Sequence, residues 1–561
     1  KGSTFPLVNG GVGVLYEAAA ALGRELDTRN GLRTYRENIR KHFRTSVASI
    51  EAGANLRRQY LEYQKAFYSS ALSDAAKYPV KAWVVAAPGD PARMHFFADL
   101  LNYHRIATHR LARDITVDGK TFAASEALIV PASQAQHRLI RSIFERLTEF
   151  EDATFYDVST WTLPPAFGLE SAALAGRAFR DNLVGERYAP PLPVAPQPDT
   201  SSYGYVFEWE PYYAPRALWR VLEKDLLVRA ATKPFAALTS SGPRSFGAGS
   251  IVIPFDRQAA SRDAIHELMR TIAAEDGITV HALSSGRSAT GTAGVDVGGP
   301  SFYPLAKPNV LLVVGDDINL YDAGEVWHLA DLRMQMPITL RRRDNLGGID
   351  WDSYTHIIFP SGDYEEYEPE FAGRLRLWIA EGGTAIAMRE AAPWLRASTL
   401  DWIDPLSEEG LAAAAQVEEI EEPEEGITRL DYSAKEDFEA SKVIGGAIFA
   451  ADLDITHPLG FGFRKRSIFL HKNVEEPMLP TENPFATVIA YTDNPVYSGF
   501  VSAENREALA GMPSLIAERV GEGSVILFAD NPNFRGYWYG TNKLFMNAVF
   551  FSKIFEAPNG N

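Results

Sequence analysis

Short runs of continuous apolar residues, alternating with helical stretches, constrain the fold of residues 306–561 more than any other feature of the sequence. Five strands are predicted, the first of them as a buried strand, and three stretches with helical spacing of their apolar residues accompany them. The strands are predicted at residues 309–314, 338–341, 355–360, 383–388 and 523–530, and the helices at 323–335, 369–380 and 543–555. Because this alternation is typical of a parallel sheet with helices on both faces, we predict a doubly wound, flavodoxin-like α/β domain.

The middle of the chain repeats one order of elements. Strands are predicted at 81–87, 106–111 and 121–131, with helices at 91–104 and 134–150. The same order returns further along, with strands at 205–209, 228–231 and 245–254 and helices at 215–224 and 262–275. The clearest counterparts are Phe122 and Phe246, each followed by an apolar run that ends in a proline, Pro131 or Pro254. We therefore predict two copies of one small α/β module.

These patterns predict a multi-domain α/β protein, as expected for 561 residues, since single cores rarely grow past about 250–300 residues. The predicted domains are residues 1–75, the two module copies at 76–186 and 203–290, and the doubly wound domain at 306–561. A proline-rich stretch at 187–202 and a glycine- and serine-rich stretch at 284–307 are interpreted as linkers. Residues 406–442 contain an acidic run at 418–425, which is interpreted as a solvated excursion.

Composition excludes several classes of function. The chain has no cysteine, which removes disulfides, thiolate metal sites and cysteine nucleophiles. A formal net charge of −17 argues against nucleic acid or an anionic membrane as a general partner. No apolar run approaches the roughly 20 residues that a transmembrane helix needs.

The segment from Thr4 to Arg24 contains the candidate catalytic residue. A glycine-rich turn precedes an apolar run at 12–16, which predicts a buried strand. Glu17 follows this run directly, where the strand would give way to a loop, and loops on a rigid scaffold commonly present catalytic groups. A solvated or ion-paired surface glutamate is the alternative interpretation.

Residues 5–73 resemble the C-terminal end of a carboxypeptidase A-like zinc carboxypeptidase domain, in particular that of large bacterial members of the family. The resemblance depends on the sequence Phe-Pro-Leu-Val-Asn-Gly-Gly-Val-Gly-Val-Leu-Tyr-Glu, which ends at Glu17, and on helices predicted at 34–50 and 54–71. It implies that Glu17 is the general base, that zinc is the cofactor, and that a zinc-activated water hydrolyses a peptide substrate. It also implies a periplasmic or extracellular location.

The zinc ligands of this family are missing from the sequence. Family members bind zinc through a His-x-x-Glu pair and a later histidine, all before the catalytic glutamate, and a catalytic zinc normally has three protein ligands. No histidine precedes Glu17, and none of the 11 histidines begins a His-x-x-Glu motif. We therefore expect no metal ligand in this chain, and neither stoichiometric zinc nor peptidase activity for residues 1–561 alone.

Residues 308–556 resemble a class I glutamine amidotransferase-like domain. Active relatives place a catalytic cysteine on a tight turn after a strand that begins with Gly-Gly, and here the comparable stretch is 382–390, with Met388 or a neighbour at the turn. Methionine has no ionisable group and cannot attack an amide. Residues 360–363 resemble the loop that donates backbone N–H groups to an oxyanion. We expect a degenerate domain without glutaminase activity that binds a ligand or supports an assembly.

Several other polar residues have a functional and a structural interpretation. Ser361 is the one hydroxyl at a strand end that could replace the nucleophile, although no histidine has a motif-like spacing from it. Asp316 and Asp317 either hold a cation or polar ligand or form a turn. His356 is interpreted as a packed core histidine. The aromatic loop at 530–540 either stacks on a sugar or peptide or packs internally.

Two hypotheses of different classes follow. In the first, the chain is the C-terminal part of a zinc metallocarboxypeptidase-like protein with Glu17 as general base, and the zinc ligands lie upstream of Lys1. In the second, the chain is a non-catalytic, multi-domain binding or scaffolding protein with a degenerate amidotransferase-like domain. A homo-oligomer is compatible with both. The coding sequence upstream of Lys1 discriminates them, because only the first hypothesis requires a His-x-x-Glu motif and a later histidine there.

Overall fold

The computed structural model describes residues 4–18, 23–29, 31–150, 158–191, 193–288, 295–364, 369–402, 431–435, 438 and 442–555. The chain divides into two compact units. The first contains Lys1–Ala86, Ala98–Glu145 and Ser171–Ala189, and the second contains Ala87–Phe97, Arg146–Glu170 and Pro190–Asn561. The four predicted domain boundaries stay predictions, and the acidic run predicted at 418–425 lies outside the described residues.

A hairpin and two long helices form the N-terminal part of the first unit. Strands β1 (Glu25–Thr28) and β2 (Gly31–Thr34) pair antiparallel and lead into helices α1 (Tyr35–Asn55) and α2 (Arg57–Lys77). Thr34 caps α1, because its hydroxyl oxygen accepts the N–H of Glu37 at 3.1 Å. Both predicted helices are confirmed, and they extend beyond their predicted ends at residues 50 and 71.

The strand predicted at residues 12–16 is wrong. A short 3-10 helix (Phe5–Asn9) ends at Gly10, and residues 11–18 continue without regular secondary structure. A strand is stabilised by hydrogen bonds to a neighbouring strand, and residues 12–16 join no sheet among the described residues. The apolar side chains of this run are exposed to solvent instead of being buried.

The first module copy forms a five-stranded sheet with the order β8-β3-β7-β4-β9. Its elements are β3 (Val80–Ala86), α3 (Pro91–Tyr103), β4 (His109–Leu111), the hairpin β5 (Ile115–Val117) and β6 (Lys120–Phe122), β7 (Ala127–Pro131), α4 (His137–Phe144), β8 (Glu170–Ala175) and β9 (Val184–Arg187). Val84 and Ile129 contribute to its apolar core. The helix predicted at 134–150 is shorter than expected and ends at Phe144.

The second module copy lies in the second unit, where the short helix α5 (Leu163–Ala166) also lies. Its elements are β10 (Gly204–Phe207), α6 (Ala214–Glu223), β11 (Val228–Ala231), β12 (Phe235–Thr239), β13 (Gly242–Phe246), β14 (Ile251–Pro254), α7 (Arg262–Thr271), β15 (Val280–Ser288) and β16 (Phe302–Leu305). Its sheet contains the order β15-β10-β14-β11-β16, which matches the order of the first copy strand for strand. The two sheets therefore share this order of paired strands, and the assignment of the two segments as copies of one module stays a prediction. The linker predicted at 284–307 is wrong, because it contains β16 and the end of β15.

A nine-stranded sheet, also in the second unit, contains five parallel strands. These are β17 (Val310–Val314), β18 (Thr339–Arg342), β19 (His356–Phe359), β20 (Thr384–Met388) and β25 (Gly523–Phe528), with helices α8 (Leu320–Trp327), α9 (Pro369–Ala380), α10 (Ala391–Thr399) and α12 (Asn542–Phe550). The spatial order β18-β17-β19-β20-β25 is the 2-1-3-4-5 order of doubly wound sheets. Helices α8 and α12 pack on one face, and α9 and α10 on the other.

The sheet continues beyond β25 in a way that the sequence analysis does not predict. Strands β24 (Pro513–Val520), β23 (Thr487–Ser498), β21 (Ala447–Leu453) and β22 (Ser467–Lys472) extend it antiparallel, and helix α11 (Ala503–Leu509) lies between β23 and β24 in sequence. A mixed α/β fold with several sheets is therefore confirmed. None of the helices in the described ranges has the length and apolar character needed to cross a membrane.

Candidate functional site

Glu17, the predicted catalytic residue, lies in the irregular segment after the first 3-10 helix, and its side chain is exposed. Among the described residues it has no hydrogen-bond or ion-pair partner. The expectation that Glu17 directly follows a buried strand is wrong, because the strand does not form and the neighbouring Leu15 and Tyr16 are themselves exposed. Its catalytic role stays a prediction.

The segment before Glu17 is held against helix α2. The Tyr68 hydroxyl of α2 donates to the carbonyl oxygen of Asn9 at 2.9 Å, and Gly10 has a φ of 65°. A Cβ at Gly10 would lie 2.9 Å from Cδ1 of Phe67, so only glycine permits this close approach. The glycine turn of the motif therefore brings the chain against α2.

Residues 5–72 expose an unusual number of large apolar side chains. No residue of α1 is buried, and only Ala71 and Ala75 of α2 are. The exposed apolar face, as we call this set, comprises Phe5, Leu7, Val12, Val14, Leu15, Tyr16, Leu32, Tyr35, Ile39, Phe43, Val47, Ile50, Leu56, Tyr60, Leu61, Tyr63 and Leu72. Single exposed apolar residues are ordinary, but many along one short stretch of chain indicate a surface that packs against other protein.

The described residues do not fit a zinc site. They contain no group of three or more His, Cys, Asp or Glu side chains arranged to hold a metal ion. His42, the histidine closest to Glu17 in sequence, lies exposed on α1. The ligand set that the family resemblance implies is therefore not supplied by the described part of this chain.

A second candidate site lies at the carboxyl ends of the parallel strands, where ligands bind in sheets of this kind. Arg389 occupies the tight turn between β20 and α10, with a φ of 53°. A positive φ is uncommon for a residue with a side chain, and such strain clusters at functional sites. Met388 is the last residue of β20 and is fully buried, so Arg389 rather than Met388 takes the turn position. Its guanidinium stays protonated in proteins and is no nucleophile.

Two carboxylates hold the Arg389 guanidinium. Its Nη1 lies 3.1 Å from Oδ2 of Asp322 on α8, and its Nη2 lies 3.0 Å from Oε1 of Glu390. The side chain of Asp322 is only 5% exposed. Burial raises the pKa of Asp322, and the Arg389 charge opposes this increase. The strained turn therefore presents a fixed cation between two acidic groups.

Glu325 lies one turn after Asp322 on α8. Its carboxyl group accepts hydrogen bonds from Asn531 Nδ2 at 2.5 Å and from the backbone N–H of Arg535 at 2.6 Å. Burial, with a further contribution from the Asp322 charge, raises the pKa of Glu325 to about 8. Glu325 is therefore protonated near neutral pH, beside the Arg389 cluster.

Ser361 does not have the surroundings of a nucleophile. Its hydroxyl donates to the Glu390 carboxylate, and the described histidines make no hydrogen bond to it. The backbone around Ser361 forms hydrogen bonds with the loop after β17. The Ser361 carbonyl oxygen accepts the N–H of Asn319 at 2.8 Å, and the Asp363 N–H donates to the carbonyl oxygen of Asp317 at 3.0 Å. The Asp363 N–H is therefore not free for an oxyanion.

The acidic pair after β17 has a structural role. Asp316 Oδ2 lies 2.8 Å from Nη2 of Arg342, and Asp317 Oδ2 lies 3.0 Å from Nη2 of Arg343. Asp317 has a φ of 62°, which aspartate tolerates better than most residues because its short side chain can bond locally. These contacts favour the turn interpretation, since both carboxylates are paired with arginines that follow or end β18.

His356 and Trp538 are packed residues. His356 is 4% exposed, its ring nitrogens lie 2.8 Å from Thr355 Oγ1 and 3.2 Å from Ser552 Oγ, and burial lowers its pKa to about 3. The interpretation of His356 as a core histidine is confirmed. Trp538 of the aromatic loop is 1% exposed, so its ring is not available to stack on a ligand.

Sequence reasoning missed Asp322, Glu325, Arg389 and Glu390. The signal that could have identified two of them is their position, because Arg389 and Glu390 directly follow a predicted strand of a parallel sheet. Asp322 and Glu325 share one face of α8 at a spacing of three residues, which the 3.6-residue period makes possible but does not distinguish from a solvated face.

Comparisons with known proteins give no family for this chain. No family model matches it, and no curated protein matches it. Among solved structures, it is similar to a ThuA-like protein from Bacteroides uniformis ATCC 8492, with 12% identity and a TM-score of 0.24, covering 45% of this chain and 94% of that one. It is also similar to the exo-β-1,4-mannosidase Op5Man5 from Opitutaceae bacterium strain TAV5, with 10% identity and a TM-score of 0.22, covering 43% of this chain.

A third solved structure is the β-galactosidase from Bacillus circulans sp. alkalophilus, with 12% identity, a TM-score of 0.21 and coverage of 42% of this chain. The chain spans 36% of the mannosidase and 30% of the galactosidase. TM-scores this low do not establish a shared fold, so no functional conclusion follows from these three proteins.

Proposed function

We propose that residues 1–75 are the C-terminal end of a zinc carboxypeptidase-like domain whose zinc-binding part lies upstream of residues 1–561, with Glu17 as its general base. The exposed apolar face supports this proposal. Monomeric proteins rarely expose contiguous apolar patches larger than a few hundred Å². Burying each of these side chains fully against a partner surface would stabilise the protein by roughly 1.5–3 kcal/mol. The family resemblance favours the rest of a peptidase domain as that partner surface.

The chemistry proposed for Glu17 is proton transfer. A carboxylate base takes a proton from the attacking water and returns it to the leaving amine, which commonly contributes about 100- to 10,000-fold in rate. Glu17 has no partner among the described residues that would compete for this role. Since the described residues do not supply zinc ligands, we assign those ligands to the other part of the domain. The role proposed for this chain is proton transfer by Glu17.

The experiment uses the protein encoded by the whole reading frame that contains residues 1–561. Zinc content and hydrolysis of a C-terminal peptide bond are measured for this protein, for its Glu17→Gln variant and for a matched Glu51→Gln variant at an exposed position of α1. We expect Glu17→Gln to keep zinc and lose at least about 100-fold in kcat, and Glu51→Gln to leave both unchanged. Residues 1–561 alone should bind no stoichiometric zinc. Undiminished turnover of Glu17→Gln would show that the assignment is wrong.

A second function is favoured by the occupant of the strand-to-helix turn. We propose that the doubly wound domain is a degenerate glutamine amidotransferase-like domain that binds a polar ligand or partner without glutaminase chemistry. Arg389 stands where the active enzymes would need a thiol, and Ser361 donates to a carboxylate instead of a base. The purified chain should release no ammonia from glutamine. Ammonia release that Ser361→Ala abolishes would contradict this proposal and identify Ser361 as a nucleophile.

A further inference from the structure

A cavity of about 520 Å³ opens at one end of the sheet in the first unit. Its apolar wall includes Pro131, Phe179 and Val184, and its polar groups are Lys81, Ser133 and Asp181. Ligand sites of proteins typically have volumes of about 300–1,000 Å³, mostly apolar linings and a few placed polar groups. The cavity therefore has the size and lining of a small-molecule site.

Lys81 is fixed in this cavity by the end of helix α2. Its ammonium donates to the carbonyl oxygens of Ala76 at 2.8 Å and of Tyr78 at 2.6 Å. Carbonyl groups at a helix end lack intrahelical partners, so these two bonds hold the ammonium in one place. An ammonium has three donors, and the described residues leave one of them, with no carboxylate in ion-pair range.

Asp181 supplies the opposite charge. It begins a short 3-10 turn (Asp181–Leu183), its side chain is exposed, and its carboxylate has no hydrogen-bond or ion-pair partner within the described part of the chain. Lys81 and Asp181 thus line the same cavity without forming an ion pair with each other. Charges arranged in this way are complementary to a molecule that carries both signs.

We propose that this cavity binds a small zwitterion with an apolar body, of the class of apolar amino acids and dipeptides. The ligand carboxylate accepts from the remaining donor of Lys81, the ligand ammonium donates to Asp181, and the apolar side chain packs against Phe179 and Val184. This site is distinct from the one around Glu17, and the proposal does not depend on peptidase activity.

The second module copy provides an internal comparison. Pro131 pairs with Ala82 and Pro254 pairs with Gly204, so the residues after the two prolines correspond. The first copy has Ala132 and the second has Phe255, whose ring lies edge-on to Tyr205 at 5.7 Å. The next positions are Ser133 and Asp256. The first copy therefore carries small side chains beside the cavity where the second carries an aromatic ring and a carboxylate.

The test is titration of the whole chain with leucine and with the dipeptide Leu-Leu, by calorimetry. Leucinamide, which lacks the carboxylate, and 4-methylpentanoate, which lacks the amine, are titrated in parallel. Asp181→Asn removes the charge from an exposed residue, and Ser133→Trp fills the cavity from an exposed position. The matched controls are Asp118→Asn, an exposed carboxylate elsewhere in the first unit, and Asp256→Trp, the equivalent position of the second copy.

We expect saturable binding of leucine or Leu-Leu, weakened about tenfold or more by Asp181→Asn and Ser133→Trp and unchanged by both controls. Leucinamide and 4-methylpentanoate should bind to the wild type no more tightly than leucine or Leu-Leu binds to the Asp181→Asn variant. Circular dichroism verifies folding, and Asp181→Asn keeps the test decisive if Ser133→Trp fails to fold. Absence of saturable binding at millimolar ligand, or binding that both variants leave unchanged, would overturn the proposal.

Discussion

Helices α1 and α12 differ in what their apolar side chains contact. None of the 21 residues of α1 is buried, whereas all nine residues of α12 are. Both helices contain phenylalanine and valine, yet Phe43 of α1 is 67% exposed and Phe545 of α12 is 1% exposed. Composition explains part of the difference, because α1 contains six Arg, Lys and Glu residues and α12 contains one lysine. The other part is the partner, because α12 packs on a sheet in its own unit and α1 has no comparable surface among the described residues.

This contrast indicates that two regions of one chain are stabilised by different kinds of interaction. Burial of apolar surface dominates the stability of the doubly wound sheet, since its strands β17, β19, β20 and β25 are buried and covered by helices. Helices α1 and α2 depend more on local terms such as caps and i,i+4 pairs, which contribute tenths of a kcal/mol to about 1 kcal/mol each. The predictions below test this difference, from the largest expected effect to the smallest.

The largest effect is expected for a matched pair of isoleucines. Ile386 in β20 is fully buried and lies between Ile358 and Ile526 of the neighbouring strands, whereas Ile50 in α1 is 72% exposed. Ile386→Ala should lower the free energy of unfolding by about 2–5 kcal/mol, because it leaves a cavity in the core. Ile50→Ala should change it by less than about 0.5 kcal/mol. Urea unfolding of both variants measures this, and a large cost at Ile50 would show that α1 is buried in solution.

Two ion pairs extend the comparison to charges. The pair of Arg389 and Asp322 has side chains 12% and 5% exposed, and the pair of Arg58 and Glu62 on α2 has side chains 91% and 64% exposed. Arg389→Met should cost about 3 kcal/mol, because it leaves the buried Asp322 carboxyl without its cation. Arg58→Met should cost at most about 0.5 kcal/mol. The same urea titrations measure both, and equal effects would contradict the assignment of the first pair to a buried cluster.

The doubly wound sheet was largely predictable from sequence, because fully buried strands appear as continuous apolar runs. Val310–Val314 and Thr384–Met388 were recognisable in this way. The antiparallel strands β21–β24 were not, since their half-buried faces and bulges interrupt the periodicity, as in Thr487–Ser498. The run at 12–16 shows the opposite case: an apolar run predicts a buried strand, but a strand also requires a neighbouring strand, and residues 12–16 pair with none among the described residues.

The candidate site was less predictable than the fold. The turn after β20 was located correctly, but its chemistry depends on Asp322 and Glu325, which reach it from α8 across the sheet end. Pairing of this kind is a tertiary property that one sequence does not encode in its spacing. The importance of Glu17 was inferred from family resemblance, and no contact in the described residues identifies it independently.

The pH dependence of stability tests whether Glu325 is in a buried environment. Burial raises the pKa of Glu325 to about 8, well above its usual value near 4.3 in an unfolded chain. Between these values the folded protein keeps a proton that the unfolded chain has lost, so this group's contribution to stability falls as pH rises from about 4.3 to 8. A pKa difference of about 3.7 units corresponds to about 5 kcal/mol, and screening by solvent at this partly exposed group reduces the loss that we expect for the wild type, relative to Glu325→Gln, to about 2 kcal/mol.

Thermal and urea unfolding at several pH values measure this difference. The difference between wild type and variant removes the contributions of other titrating groups, such as Lys543. Burial lowers the pKa of Lys543 to about 7, so its contribution to stability rises with pH above that value. A wild type and a Glu325→Gln variant with parallel pH profiles would show that Glu325 is not in a buried environment. Glu62→Gln on α2, at a position 64% exposed, is the control and should show no such dependence.

The smallest effect is expected at the start of α1, where a local term acts alone. The Thr34 hydroxyl oxygen accepts the N–H of Glu37 at 3.1 Å, and the Ser261 hydroxyl oxygen accepts the N–H of Ala264 at 3.2 Å at the start of α7. Loss of either cap should cost about 1 kcal/mol. Because α1 has no buried face to hold its first turn, Thr34→Ala should speed amide hydrogen exchange there by about fivefold. Ile265 and Met269 of α7 are buried, so Ser261→Ala should accelerate exchange less. Equal acceleration in the two helices would indicate that α1 is held by tertiary contacts as firmly as α7 is.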